Sequence, residues 1–361
     1  MNHLFHLLQD YQSQSDDEDW YCGTVVTKSG SSYRRPGAMM LVSPLGKSHG
    51  MVSGGCLESD VVHRAQRVRQ SGEAAYVIYD TEDEDSFAAS LGLGCNGKIG
   101  VLIQAVRPSH RALLQTLYQR MQDKQESYLL QCYQSIQKDR VGDWMLLDQS
   151  GHILANTNPA LEFSELENNL LKSRLPETQS VLMINDNYWS VAKILPPVNL
   201  WVLGGGLDAQ PMVEMAATLG WLVTVVDHRT GYAREAYFAK AHSVIHLHPD
   251  QLADSPEFQS ADAFVCMTHN KNIDAAWMRV LKDINRPGYI SILGPESRKQ
   301  EVMTMAGADQ NFSVQVRGPA GFAIGGDLPE SIALSILSEC HAAIFNSGAV
   351  GLETAQMDLG A

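Results

Sequence analysis

The chain has 361 residues, and a length of about 150 residues per domain indicates two domains. Hydrophobic residues make up 44% and charged residues 19%, which is typical of a globular protein and excludes a disordered, collagen-like or disulfide-scaffold chain. The 41 acidic residues outnumber the 27 basic ones and give a net charge of -14, which repels nucleic acid and anionic membranes. We expect neither as a partner.

The sequence also predicts where the protein is located in the cell and whether its cysteines are reduced. No stretch approaches the roughly 18 apolar residues that a membrane-spanning helix needs, and the N-terminus lacks the pattern of a secretory signal, so we expect a cytoplasmic protein. The cysteines form no CxxC pair and no zinc-site spacing, and reduced thiols are expected. The six cysteines are Cys22, Cys56, Cys95, Cys132, Cys266 and Cys340.

The N-terminal part of the chain combines helices with short strands. Helical spacing of leucines predicts a helix over residues 1–15, and a second helix is predicted from Leu57 to Ser71–Gly72, with Val61, Ala65 and Val68 on its apolar face. Apolar and β-branched runs bounded by turn residues predict strands. These runs are YCGTVVTK, AMMLVSP, KSHGMVSGG, AAYVIYD and KIGVLIQAV.

The middle of the chain gives a weaker pattern. Residues 109–135 have helical spacing and predict a helix, and the runs DWMLLD and YWSVAKIL predict strands. Pro196–Pro197 marks a boundary, because proline donates no hydrogen bond to a central strand. We therefore predict a mixed α+β domain over residues 1–195, which includes the weakly patterned segment 106–195. A second domain is predicted over residues 198–361.

The second domain is predicted to be a Rossmann-like, doubly wound parallel sheet. Short β-branched runs alternate with helical segments, which is typical of a parallel sheet covered on both faces. The strand-like runs are NLWVLGG, WLVTVVDHR, SVIHLH, DAFVCMTHN and GYISILGP, and the helical ones include PMVEMAATLG, AAWMRVLKDI and LPESIALSILSECHAAIF.

A glycine-rich loop follows the first of these strands. Gly204, Gly206 and Ala209, with Gly205 between the two glycines, match the G-x-G-x-x-G/A arrangement that brings a pyrophosphate to a helix N-terminus. Asp227 ends the next strand, where a carboxylate can bind a ribose hydroxyl. The pattern predicts NAD(P) or another nucleotide. The alternative is a Rossmann fold that keeps this loop geometry but binds another phosphate-bearing molecule, or nothing.

Another strand end carries polar residues. Thr268, His269 and Asn270 follow the run DAFVCM, and in open parallel sheets ligands bind beyond the carboxyl ends of the strands. His269 is a candidate general acid or base, or a structural hydrogen-bonding residue.

Two cysteines of the first domain lie in glycine-rich loops. Cys56 precedes the predicted helix, whose N-terminus favours a thiolate, and Cys95 stands between glycines before a strand. Either these thiols bind or react, or they are small apolar fillers of tight turns. The flanking residues that we include in the predicted site are Ser53, Gly54, Gly55 and Gly94. Arg34 and Arg35, in a separate turn, suit a phosphate or another oxyanion, or form a solvated turn.

Taken together, these motifs resemble the XdhC/CoxI family of accessory proteins for molybdenum hydroxylases such as xanthine dehydrogenase. The resemblance covers most of the chain except about 106–195. It rests on the segments GTVVTKSGSSYRRPGAMMLV, SGGCLESDVV, GLGCNG, VLGGGLDAQPMVEMAATLGWLVTVVDHR, FVCMTHN, YISILGP and GPAGFAIGGDLPESIALSILSE.

The resemblance implies a chaperone more than a turnover enzyme. Such a protein binds the molybdenum cofactor, supports its sulfuration with a cysteine desulfurase, and delivers it to the apo molybdenum hydroxylase, usually as a homodimer. Carried onto this chain, Cys56 and Cys95 contact molybdenum or its sulfur, with no other metal site, and Arg34 and Arg35 bind the cofactor's phosphate. The alternatives are an NAD(P)-dependent oxidoreductase that uses the Rossmann domain, and a redox-sensing scaffold that uses Cys56 and Cys95.

Overall fold

The computed structural model describes residues 3–14, 19–30, 34–80, 97–136, 140–160, 173, 175, 179–184, 186–252, 255–285, 287–307 and 312–348. The chain divides into two compact units, residues 1–196 and 197–361. We call them unit 1 and unit 2. Cys95 and Gly94, which belong to the predicted site, lie outside the described residues.

Unit 1 contains two antiparallel sheets of five strands each. In the first sheet the order is β3-β2-β1-β5-β4, with Val25 of β1 opposite Val101 of β5. Apolar residues of helix α2, which were predicted to form one face, are all buried against this sheet. The elements of this part are α1 (Leu4–Gln12), β1 (Tyr21–Gly30), β2 (Met39–Val42), β3 (Ser48–Gly50), α2 (Glu58–Ser71), β4 (Ala75–Asp80) and β5 (Gly97–Ala105).

The second sheet of unit 1 has the order β8-β7-β6-β10-β9, with Leu130 of β6 opposite Val191 of β10. Two aromatic side chains, Trp144 and Trp189, are among its fully buried residues. The elements are α3 (Pro108–Gln122), β6 (Ser127–Ser135), β7 (Trp144–Leu147), β8 (Ile153–Asn156), β9 (Gln179–Ile184) and β10 (Asn187–Ile194).

Two predictions for unit 1 were wrong in part. The helix predicted over 109–135 ends at Gln122, and Ser127–Ser135 forms strand β6. All but one of the residues of β6 are buried, so the strand lacks the alternation that distinguishes a strand from a helix. The strand predicted for KSHGMVSGG extends only over Ser48–Gly50, because the residues that follow turn into the loop before α2.

Unit 2 is a doubly wound sheet, as predicted. Its six parallel strands have the order β13-β12-β11-β14-β15-β16. Separate apolar clusters cover the two faces: Val202 and Val225 pack towards α4 and α8, whereas Trp201 and Phe264 pack towards α6. The helices are α4 (Gln210–Thr218), α5 (Pro256–Gln259), α6 (Lys271–Leu281), α7 (Glu296–Ala306) and α8 (Pro329–Ile344). The strands are β11 (Asn199–Leu203), β12 (Leu222–Asp227), β13 (Ser243–His246), β14 (Ala263–Cys266), β15 (Tyr289–Ile292) and β16 (Val316–Arg317).

The order of the strands places the predicted unit 2 residues. Strand β11 lies between β12 and β14, and all three run in the same direction. The glycine loop after β11, Asp227 at the end of β12 and Thr268 after β14 therefore share the carboxyl edge of the sheet.

Candidate functional site

The glycine loop of unit 2 packs closely against its own chain. Gly204 has φ +130°, and a Cβ atom on it would lie 2.6 Å from the carbonyl carbon and oxygen of Met267. A Cβ atom on Gly205 would lie 2.8 Å from the carbonyl oxygen of Tyr232. Both glycines are therefore required by neighbouring backbone in this structure, independently of any ligand.

Asp227 is already fully engaged by hydrogen bonds. Its Oδ2 accepts the N–H of Gly205 and Nη2–H of Arg229, each at 2.8 Å. Its Oδ1 accepts the backbone N–H of Arg229 at 2.8 Å and Nε–H at 2.9 Å. The carboxylate thus holds the glycine loop to the chain after β12, and a ribose hydroxyl would have to displace one of these donors.

The surroundings of Asp227 favour its charged form. Burial acts to raise the pKa of this carboxyl, but the hydrogen bonds from Arg229 and Gly205 outweigh burial and hold the pKa below its usual value. The Arg229 guanidinium also lies over the ring of Tyr232, 3.6 Å from the ring centroid. Arg229 is therefore fixed on both sides by its own chain.

The three polar residues after β14 have different roles. Asn270 caps α6, since its side chain accepts the N–H of Asn272 at 3.0 Å. His269 has φ +57°, and its Nε2 lies 2.8 Å from Oδ2 of Asp208, which follows the glycine loop. Both members of this histidine–carboxylate pair reach solvent. The structure therefore brings His269 to the glycine loop, as expected for a carboxyl-edge residue.

Thr268 is held by a buried ion pair that the sequence did not reveal. Its Oγ1–H donates to Oδ1 of Asp274 at 2.5 Å, and Nη2–H of Arg298 donates to Oδ2 of the same carboxylate at 2.6 Å. Asp274 is on α6 and Arg298 is on α7, so the ion pair connects the two helices that follow the neighbouring strands β14 and β15. Asp274 and Arg298 are 24 positions apart in the sequence, so only the fold brings them into contact.

The Cys56 loop is the candidate site of unit 1. Ser53 organises it: its Oγ accepts N–H groups from Gly55, Cys56 and Leu57 at 3.3, 3.1 and 3.0 Å. Helix α2 then begins at Glu58. The thiol of Cys56 is exposed, whereas the backbone N–H of the same residue is used within the loop.

Glu58 completes the loop and was not predicted as a site residue. Its Oε1 accepts the N–H groups of Val52 and Ser53 at 3.1 and 2.8 Å, and Oε2 accepts the hydroxyl of Ser53 at 2.6 Å. Partial burial acts to raise the pKa of Glu58, but hydrogen bonds from Ser53 and Val52 outweigh it and lower the pKa. The carboxylate fixes the chain that leads into Cys56.

Cys56 differs from the other described cysteines in exposure. Cys22, Cys132, Cys266 and Cys340 are all buried. Burial raises the pKa of the Cys22 thiol to about 12 and raises those of Cys266 and Cys340 as well. Among the five described cysteines, only Cys56 combines a free thiol with access from solvent.

Two arginines of the predicted site, Arg34 and Arg35, lie in the turn between β1 and β2 of unit 1. Arg34 is half-buried and Arg35 is exposed. Burial lowers the pKa of His3 to about 4, and the charges of His6, Lys124 and Arg34 act in the same direction. Arg34 is therefore positioned near the start of α1.

The described ranges hold no metal cluster and no membrane-spanning helix. No group of three or more His, Cys, Asp or Glu residues there is arranged to hold a metal ion. Within the same ranges, no helix has both the length and the apolar character needed to cross a membrane.

Comparisons with known proteins match both units. The family model described as XdhC and CoxI family matches residues 14–80, and the one described as XdhC Rossmann domain matches residues 200–340. The chain is 29% identical over 336 residues to a protein of Bacillus subtilis (strain 168) that is named as a probable subunit of xanthine dehydrogenase. That match covers 93% of this chain and 96% of the Bacillus subtilis protein.

A solved structure has the same fold. It is described as a xanthine dehydrogenase from Bacillus halodurans, and it superposes with a TM-score of 0.77 at 24% sequence identity. The match covers 97% of this chain and 98% of that chain. The fold is therefore shared over both units.

Proposed function

Because this chain belongs to the XdhC and CoxI family, we propose that it is an accessory protein of a xanthine dehydrogenase-type molybdenum hydroxylase. In this proposal it binds the molybdenum cofactor, supports its sulfuration and delivers it to the apoenzyme. The name of the Bacillus subtilis relative supports the choice of partner.

One observation carries the proposal: the exposed thiol of Cys56 lies on a loop that Ser53 and Glu58 hold in place. A site that binds a soft metal centre or transfers sulfur needs an accessible sulfur atom, and it needs that sulfur in a defined position. The buried cysteines of the described residues do not meet the first requirement. Cys56 meets both.

The residues of this chain suit different parts of the cofactor. When bound, the molybdenum cofactor supplies a metal centre on a phosphate-bearing pterin. Cys56 would contact the metal or its sulfur through a thiolate, a ligand type preferred by soft metals, and Ser53 and Glu58 would keep that sulfur in position. Arg34 and Arg35 would attract the phosphate by charge. Cys95 stays a predicted second thiol.

The partners follow from the same proposal. A cysteine desulfurase supplies the sulfur, the apo molybdenum hydroxylase receives the cofactor, and the accessory protein acts as a homodimer. The glycine loop, Asp227, and Thr268 to Asn270 stay a predicted site in unit 2 for a nucleotide other than NAD(P) or for part of the cofactor. The bonds that already engage Asp227 favour the accessory role over an NAD(P)-dependent oxidoreductase.

Reconstitution of an apo-xanthine dehydrogenase tests the proposal. Purified apoenzyme is incubated with molybdenum cofactor, a cysteine desulfurase, cysteine and this protein, and xanthine oxidation is measured. We expect Cys56→Ala to reduce the activity gained by about tenfold or more. Ser59→Ala, an exposed change in the first turn of α2, is the matched control and should behave like wild type. If Cys56→Ala supports activation as well as wild type does, the proposed role of Cys56 is wrong.

A further inference from the structure

His269 and Asp208 form an accessible pair at the carboxyl edge of the unit 2 sheet. Nε2 of His269 lies 2.8 Å from Oδ2 of Asp208, although the two residues are 61 positions apart in the sequence. Asp208 follows strand β11, and His269 follows the neighbouring strand β14. The imidazole is 63% exposed and the carboxylate 27% exposed, so a ligand can reach both. Two common metal-binding groups therefore meet where open parallel sheets bind their ligands.

The glycine loop makes room for the carboxylate of Asp208. A Cβ atom on Gly206 would clash with Oδ1 of Asp208, whereas Oδ2 of the same carboxylate contacts His269. Gly204 and Gly205 are required by neighbouring backbone, so each of the three glycines has a cause within the chain. The space that Gly206 leaves open holds a carboxylate. A phosphate at this loop is therefore repelled unless a cation lies between the two groups.

The backbone at His269 is strained, and both of its neighbours are anchored. Its φ of +57° lies in the left-handed region, which residues other than glycine adopt at a cost in energy. On one side, Thr268 donates its hydroxyl to Asp274 at 2.5 Å. On the other side, Asn270 caps α6. Strain that the surrounding structure maintains in this way is typical of functional sites.

A second exposed histidine–carboxylate pair of unit 2 provides a comparison. Nδ1 of His248 lies 3.3 Å from Oδ2 of Asp250, and the two residues are neighbours in one turn of the chain. Local sequence alone accounts for that pair. His269 and Asp208 come from two different loops, lie closer together and depend on Gly206 for the position of the carboxylate. The fold therefore builds this pair, and it leaves both groups open to solvent.

The chemistry of the pair suits a divalent cation. Imidazole nitrogen and carboxylate oxygen both bind first-row divalent metals. Two ligand atoms at about 2.1 Å from one ion and at about a right angle are about 3.0 Å apart, close to the 2.8 Å between Nε2 and Oδ2. An ion can thus replace the shared proton with little movement of either side chain. Because the described ranges hold no group of three such ligands, its other positions are left to water and phosphate oxygens.

We propose that Asp208 and His269 bind a divalent cation at the glycine loop, and that this cation receives the phosphates of a nucleotide. The cation reverses the charge that Asp208 brings to the loop, and it offers open positions to phosphate oxygens. Mg²⁺ should bind more weakly than Mn²⁺, because Mg²⁺ takes oxygen ligands and one ligand here is a nitrogen. The nucleotide part rests on the unit 2 site of the proposed function, whereas the cation part does not.

Titration of the whole chain with Mn²⁺, followed by electron paramagnetic resonance, tests the cation site. The signal of free Mn²⁺ falls when the ion binds, and Mn²⁺ has little preference for the thiol of Cys56. We expect wild type to bind with a Kd of about 100 µM, and Asp208→Asn and His269→Gln each to bind about tenfold more weakly. Asp250→Asn, which changes the comparison pair, is the matched control and should behave like wild type.

Gly206→Ala tests the position of the carboxylate without removing either ligand. The φ of −64° at Gly206 suits alanine, and the added Cβ atom meets only the end of the Asp208 side chain. We expect this variant to fold, to displace the carboxylate and to bind Mn²⁺ about tenfold more weakly than wild type does. Thermal unfolding of every variant separates lost binding from lost fold.

Calorimetry with ATP and pyrophosphate tests the nucleotide part. In the presence of Mn²⁺ we expect ATP to bind with a Kd of about 10 µM, and about tenfold more weakly when EDTA removes the ion. Asp208→Asn should abolish this difference, whereas Asp250→Asn should keep it. Pyrophosphate should bind about tenfold more weakly than ATP, and equal affinities would show that the site takes a phosphate and not a nucleotide.

The inference is overturned if Asp208→Asn and His269→Gln bind Mn²⁺ as Asp250→Asn does. If Mn²⁺ binds at the pair but ATP binds equally well without it, or not at all at about 1 mM, the nucleotide part is wrong. Cys56→Ala should bind Mn²⁺ and ATP as wild type does. The cation site can therefore fail while the proposed role of Cys56 stands.

Discussion

The hydroxyl of Ser53 donates a 2.6 Å hydrogen bond to the Glu58 carboxylate, while the same oxygen accepts three backbone N–H groups of the Cys56 loop. Glu58 in turn accepts two backbone N–H groups that precede the loop. The two side chains therefore fix the loop from both ends. Because Ser53 and Glu58 hold this loop in place, the exposed thiol of Cys56 has a defined position.

Loss of Ser53 should loosen this loop. Ser53→Ala removes the acceptor of three N–H groups, and we expect the free energy of unfolding of unit 1 to fall by about 1–2 kcal/mol. Urea denaturation followed by far-UV circular dichroism measures the change. Ser59→Ala, which touches none of these bonds, should stay within about 0.5 kcal/mol of wild type. An equal effect of the two variants would contradict the role of Ser53.

The same loop should respond to acid. The pKa of Glu58 is lowered in the fold, so its stabilising effect is fully present above the usual value of 4.5 and is lost as the pH falls through the lowered value. Wild type should therefore be more stable than Glu58→Gln at pH 7, and the difference should shrink below about pH 4.5. Denaturation of both proteins at several pH values measures this difference. A gap that does not change with pH would show that the Glu58 charge is not involved.

His110 should make stability depend on pH in a different range. Its pKa falls from 6.5 to about 4 because burial disfavours the charged ring. The unfolded chain binds the proton more readily, so stability decreases as the pH falls from about 6.5 to 4, by about 3 kcal/mol in total from this group. His3 contributes in the same direction. His110→Gln should flatten the profile measured by urea denaturation, and an unchanged slope would contradict the assignment.

The buried pair in unit 2 should be sensitive to removal of one charge. Arg298→Ala leaves Asp274, which is 1% exposed, without its guanidinium partner, and we expect a loss of about 3–5 kcal/mol in the free energy of unfolding. The double variant Asp274→Ala with Arg298→Ala should be more stable than the single one, since it buries no unpaired charge. Differential scanning calorimetry compares the three proteins. A double variant that is less stable than Arg298→Ala would contradict this account.

The glycine loop should not behave as a dinucleotide site. Because four donors occupy Asp227 and the backbone at Tyr232 approaches Gly205, we expect no saturable binding of NADH or NADPH up to about 1 mM. Calorimetry with either nucleotide tests this. Micromolar binding that Asp227→Asn weakens would instead support the oxidoreductase alternative.

The sequence predicted the glycine loop well and its chemistry incompletely. Gly204 and Gly206 follow a buried strand in a spacing that only a few turn geometries allow, so the strand, loop and helix were predictable. The hydrogen bonds that engage Asp227 were not predictable, because a sequence does not show that the Arg229 side chain folds back onto the carboxylate two residues earlier. The spacing of residues along the sequence predicts the local backbone conformation. The hydrogen-bond partners of a side chain depend on how the folded chain packs.

Long-range polar clusters escaped prediction for a related reason. The buried side chain of Gln104 donates to the carbonyl oxygen of Gly142 and accepts Nε1–H of Trp144, which are 38 and 40 residues away, so no window of sequence contains this cluster. An accessible Cys56 was one of the two alternatives that the sequence left open, because a glycine-rich loop before a helix suits either a reactive thiol or a turn filler. The role of Glu58 was not, because its contacts with Val52 and Ser53 depend on how the loop folds back.

Binding of isolated molybdenum cofactor to wild type and Cys56→Ala tests the central claim most directly. Equilibrium titration followed by cofactor absorbance gives both dissociation constants, with Ser59→Ala as control. We predict binding at a Kd of about 10 µM or tighter for wild type and the control, and at least about tenfold weaker binding for Cys56→Ala. Equal affinity of all three proteins, or no binding by wild type at about 1 mM, would contradict the assignment of Cys56 to the cofactor.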